Sequence, residues 1–144
     1  MTEKGENSMT LIVCLDDRNG SLFLGRRLSA DRRVRENILE LSRERLLWLN
    51  AYSAEQFEKL PENVRICEQF LSQAGEGDLC FAENSDLTQV LSRVEKLIVY
   101  RWNRHYPSDR KFPWELMPAS MACVEKWDFE GFSHERITRE VYVL

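Results

Sequence analysis

An α/β domain, with a mixed sheet layered between helices and an antiparallel pair of strands at its end, is the fold class that this chain of 144 residues predicts. Three observations carry that prediction. Short apolar runs of strand length alternate with helix-like segments from Thr10 to Arg101. The last two segments, Met121–Phe129 and Ile137–Leu144, are both strand-like and are separated only by EGFSHER. No repeat, low-complexity stretch or linker divides the chain, so a single domain over 9–144 is expected, with a core of real size.

Taken in order, the polar segment MTEKGENS at 1–8 reads as a disordered extension, with Met9 as an alternative start. Thr10–Leu15 is a buried strand, and Asn19-Gly20 is the dipeptide that most favours a type I′ turn into a short return strand. Ser29 is placed to cap a helix whose Val34, Ile38 and Leu41 recur on one face. The run LLWL at Leu46–Leu49 leads into a second helix, for which Ser53 and Gln56 have the spacing of a capping box. Pro61 closes that helix, and Val64–Cys67 is a third strand. EQFLSQAG supplies one or two helical turns, and Asp78–Glu83 is a fourth strand. Ser85 then caps a helix through Leu87, Val90, Leu91 and Val94, and Lys96–Arg101 is the fifth strand.

Composition narrows the functional classes. Hydrophobic residues make up 43% and charged residues 31%, as in ordinary globular proteins, and the net charge of −4 gives no overall attraction to nucleic acid or acidic lipid. No apolar run is long enough to span a bilayer and no signal peptide is evident, so a cytoplasmic location without membrane attachment is expected. The four cysteines, Cys14, Cys67, Cys80 and Cys123, share no paired spacing and read as reduced packing residues. With only His105 and His134 in the chain, a multi-histidine metal site is excluded.

Three places invite a chemical reading. Asp31 is a carboxylate at the start of an apolar helical stripe and beside a strand end, where it is either a ligand-binding acid or a first-turn acid serving the helix dipole. The strand-to-helix step before Ser53 is either an anion site or the ordinary wiring of an αβ unit. The segment VYRWNRHYPSDRKFPW, from Val99 to Trp114, interleaves aromatics with cations, as single-stranded nucleic-acid surfaces and packed cation–π edges both do. The acidic net charge argues for the packed edge and makes nucleic acid an improbable partner.

The order of these phrases resembles the dihydrofolate reductase family over nearly all of Met9–Leu144. LIVCLDDRNG looks like that family's opening strand, and LSAD is similar to the segment carrying its substrate-binding acid, with Asp31 at the matching position. LLWLNAYSAEQF resembles the unit that holds the cofactor phosphates, Ser53 standing where the family has Thr, and YPSD with FEGFSHERITREVYVL looks like its last strands. The resemblance implies a three-layer domain and, through Asp31, a pteridine- or nucleobase-like ligand. It also implies a degenerate cofactor site. The basic phosphate turn is replaced by Asn50-Ala51-Tyr52-Ser53, the Ser-Arg pair is absent near Cys67 and Glu68, and the Gly-Gly pair is read as Tyr100-Arg101-Trp102. The Trp of the family's LPW is missing as well, since GRRLSAD is shorter.

No cofactor is therefore expected, and NADPH least of all. A different cofactor mode would rest on Ser53, Arg101 and Trp102. The chain resembles in particular a divergent bacterial sub-group of the family, some members of which are labelled ribonuclease Z; the absence of an H-x-H-x-D-H cluster excludes that chemistry here. Whether the chain is an enzyme stays open, as does self-association. The alternative to a ligand-binding protein is a non-enzymatic interaction module using residues 100–114.

Overall fold

A computed structural model of the chain describes residues 8–144. Of the extension expected at 1–8, residues 1–7 lie outside the described residues; Ser8 is buried, and its carbonyl accepts the Gly77 N–H at 2.8 Å. Among the described residues, ten strands form two sheets. The larger has the order β5-β4-β6-β1-β7-β10-β9, built from β1 (Met9–Leu15), β4 (Leu47–Leu49), β5 (Val64–Ile66), β6 (Leu79–Phe81), β7 (Val94–Arg101), β9 (Ala122–Phe129) and β10 (Ile137–Val143). β1 pairs in parallel with β6 and β7, whereas β10 is antiparallel to both β7 and β9. The mixed α/β sheet with its antiparallel end is therefore as expected.

Alternation along β1 explains why it sits at the centre. Met9, Leu11, Val13 and Leu15 enter one apolar cluster, with Phe70, Leu91, Leu97, Val99 and Phe112. Ile12 faces the other way, into a cluster with Val34, Ile38, Leu49, Phe81, Ile98 and Tyr100. Both faces of the sheet are covered, so its middle strands are almost continuously buried. Helix α1 (Arg32–Leu41) closes the second face through Val34 and Ile38. The first face is closed by the short helix α3 (Phe70–Gln73) and by loops.

Several local expectations are corrected. Asn19 has φ 66°, but the turn is organised by Asp16, whose Oδ1 accepts the N–H groups of Arg18 and Gly20. Gly20 is not at positive φ; it is required because a Cβ there would lie 2.5 Å from Ser108 Oγ. Asp31, not Ser29, caps α1. Helix α2 (Ala51–Ala54) is a single turn capped by Asn50, so Ser53 and Gln56 form no capping box.

The helix expected after Ser85 is not formed: a 3-10 turn at Leu91–Arg93 leads straight into β7. Asp86 accepts from the N–H and hydroxyl of Thr88, and Arg110 donates to the carbonyls of Asn84 and Ser85. Those local and tertiary bonds compete with helix formation at its first turn. The smaller sheet, β3 (Arg26–Arg27), β2 (Gly20–Phe23) and β8 (Arg110–Lys111), stands beside the carboxyl ends of the central strands.

Candidate functional site

Asp31 lies in extended backbone (φ −150°, ψ 134°) immediately before α1, and its carboxylate is fully occupied by the protein. Oδ1 accepts the N–H groups of Arg33 at 2.8 Å and Phe132 at 2.9 Å. Oδ2 accepts the Ser133 N–H at 2.9 Å, the Ser133 hydroxyl at 3.2 Å and the His134 ring at Nδ1 at 2.8 Å. The loop between β9 and β10 reaches this close because residue 131 is glycine: a Cβ there would stand 2.7 Å from Asp31 Oδ2.

Burial by itself would raise the Asp31 pKa. The N–H groups of Phe132 and Ser133, the His134 ring and the Arg33 N–H outweigh it and hold the carboxyl well below its usual range. With a side chain 0% exposed and its lone pairs taken, Asp31 does not meet a ligand directly. This corrects the reading of Asp31 as the ligand's own partner.

What Asp31 does control is His134. An ionised carboxylate only accepts hydrogen bonds, so Nδ1 of the neutral ring carries the proton and Nε2 presents its lone pair. Nε2 lies 2.9 Å from Ser29 Oγ and 3.3 Å from Tyr106 Oη. Trp102 stacks on the imidazole at 4.8 Å between centroids and 25° between planes. The ring is thus held in both tautomer and orientation, and Ser29 lines a cavity.

That cavity, of about 330 Å³, opens where β1, β6 and β7 end. Val13, Cys14, Ala82 and Trp102 come from those strand ends, and Phe112 and Pro113 add an apolar wall. The small sheet contributes the cations Arg27, Arg110 and Lys111, and Asp86 adds a carboxylate. Arg27 binds Glu83 through two bonds, Nε to Oε2 at 2.9 Å and Nη2 to Oε1 at 3.0 Å. Glu83 Oε1 also accepts from Ser53 Oγ and Gln56 Nε2, and the Arg27 guanidinium stands 4.2 Å from the Tyr52 ring centroid. Burial, then the Glu83 charge, pushes the Cys14 thiol well above its usual pKa.

The other predicted site residues are not brought together. Ser53 is wholly buried, and its hydroxyl donates to Glu83 at 2.8 Å. Arg101 turns to Glu140 at 3.1 Å and Asn19 at 2.6 Å, on a polar surface distinct from the cavity. Among Trp48, Tyr52, Tyr100 and Trp102, only Trp102 lines the cavity. Tyr100 is buried under α1 with its hydroxyl on Asn37. The basis of the interaction-module reading is corrected too, because Tyr100 is a core residue and Trp102 and Phe112 face inward, so that none of the three offers a stacking surface on the outside of the molecule.

Sequence reasoning missed Ser29 as a cavity residue, and it missed His134, Arg27 and Glu83 altogether. The one available signal was the scarcity of histidine. Among the described residues no group of His, Cys, Asp and Glu could hold a metal ion, and no helix is long and apolar enough to cross a membrane.

The molecule is thus an open α/β sheet with a crevice at the carboxyl ends of its parallel strands. The chain is similar, over 97% of its length and 96% of the other, to the structure of a dihydrofolate reductase from Enterococcus faecalis complexed with NADP(H) and RAB-propyl, with a TM-score of 0.64 at 11% identity. It therefore has a dihydrofolate-reductase-like fold. No protein-family model and no curated protein matches the sequence.

Proposed function

We propose that this protein binds a small, flat, pteridine- or nucleobase-like heterocycle in the cavity at the ends of β1, β6 and β7, and that it does not use NADPH in the usual way. The cavity itself carries the reading: an apolar floor faced by Trp102 and Phe112 and flanked by Ser29, the Arg27–Glu83 pair, and Arg110 and Lys111. A floor of this kind accepts a planar body, and a few fixed polar groups orient it. Dependence on Asp31 is indirect, through His134 and Ser29.

The geometry at the start of α2 supports the cofactor part of this reading. At the start of α2, the Ala51 N–H that could face a phosphate donates instead to the Glu68 carboxylate at 3.0 Å. A negative charge there repels a dinucleotide phosphate, and the turn Asn50–Ser53 brings no cation to offset it.

Thermal unfolding of the wild type and Arg110→Ala with dihydrofolate, methotrexate, NADPH, NADH and common nucleotides tests both statements. Stabilisation of about 2.7 kcal/mol at a hundredfold excess over Kd is expected for a folate-type or nucleobase ligand, and less in Arg110→Ala. Stabilisation by NADPH contradicts the cofactor reading, and no shift with any of these ligands overturns the proposal.

A further inference from the structure

We infer that Ser29, His134 and Asp31 form an acyl-transfer site inside this cavity, with Ser29 as nucleophile toward small esters that have a planar apolar body. The inference rests on the ligand cavity proposed above and adds a reaction to it. Ser29 Oγ lies 2.9 Å from His134 Nε2, and His134 Nδ1 lies 2.8 Å from Asp31 Oδ2. Nucleophile, base and orienting carboxylate are thus in hydrogen-bond reach in the required order, a constellation recognised by geometry and not by chain order. His134 is 5% exposed and Asp31 2%, so the base and its carboxylate are shielded from water while Ser29 faces the cavity.

The step balances without any cofactor. Ser29 Oγ bonds to the acyl carbon as its proton passes to Nε2. The ester C–O bond then breaks, and the leaving alcohol takes that proton. Water repeats the sequence, giving its proton to Nε2 and its oxygen to the acyl carbon, and Ser29 Oγ departs with the proton returned. Asp31 is a positioning residue: it fixes the ring tautomer and faces the imidazolium formed in between. Tyr106 Oη, at 3.3 Å, competes with Ser29 for the same Nε2 lone pair.

The test uses p-nitrophenyl acetate with the full chain. Wild type is expected to release about one equivalent of p-nitrophenolate per chain in a burst, the kinetic signature of an acyl-enzyme, and to carry an acetyl group on Ser29 by peptide mass spectrometry. Ser29→Ala, at an unchanged melting temperature, loses the burst, while Ser120→Ala, on the exposed turn before β9, keeps it. Asp31→Asn, assayed where its circular dichroism is that of the folded wild type, lowers kcat by at least ~100-fold with KM unchanged. A burst that survives in Ser29→Ala, or a folded wild type with none, overturns the inference. A missing burst with a folate-type thermal shift leaves ligand binding standing; a burst without that shift removes the heterocycle reading alone.

Discussion

Asp31 accepts five hydrogen bonds, from Arg33, Phe132, Ser133 twice and His134, and this one carboxylate ties the start of α1 to the loop before β10. Asparagine in its place turns an amide N–H toward some of the same donors and removes the charge that His134 faces. Asp31→Asn is therefore predicted to cost about 2–3 kcal/mol in urea unfolding at pH 7, as removing a charged acceptor from buried donors does. The pH dependence follows from the lowered native pKa. Stability from the ionised form is fully present above the unfolded value, about 3.9, and is lost as pH falls toward the lower native one. The gap between wild type and variant should narrow below about pH 4; a gap that stays constant to pH 2 contradicts the assigned ionisation.

At the scale of elements, the segment joining β9 to β10 acts as a clasp whose fit depends on Gly131. Its N–H donates to the His134 carbonyl at 2.9 Å, and an added Cβ would meet Asp31, Ile137 and that carbonyl within 2.9 Å. Gly131→Ala is predicted to cost about 1–3 kcal/mol through overpacking. It should also shift or erase the downfield His134 Nδ1–H proton resonance, since the clasp has to back away; an unchanged resonance would sink this account. Elements whose signal is intrinsic were legible in the sequence: β1, β7, β9 and β10 are long and apolar or alternating, and α1 shows its stripe. Elements that depend on remote partners were not. The segment after Ser85 has helical spacing, yet its first carbonyls are held by Arg110, and Ser53 looked like a cap but serves Glu83. His134 and Asp31 stand 103 positions apart, so no local pattern could join them.

For the molecule as a whole, the sheet is a shared wall between two apolar clusters, and two cysteines report on its two faces. Cys80 belongs to the cluster with Met9 and Leu11, its thiol facing Met9 Sδ at 3.4 Å, and burial pushes its pKa up to about 12. Cys14 packs against the opposite cluster and lines the cavity. Cys123 is exposed on β9, the edge strand, where Glu125, Lys126 and Asp128 put charge along an otherwise open edge. Alkylation at neutral pH should therefore modify Cys123 first and leave Cys14 and Cys80 nearly untouched in the native state. β1 and β6 are hydrogen-bonded neighbours, so neither face can open widely while the other holds. Pulsed iodoacetamide labelling through a urea transition is predicted to expose Cys14 and Cys80 at the same midpoint, as one cooperative unit requires. Labelling of Cys14 at lower urea than Cys80 would mean that the cavity wall opens as a separate unit, with the sheet's other face still closed.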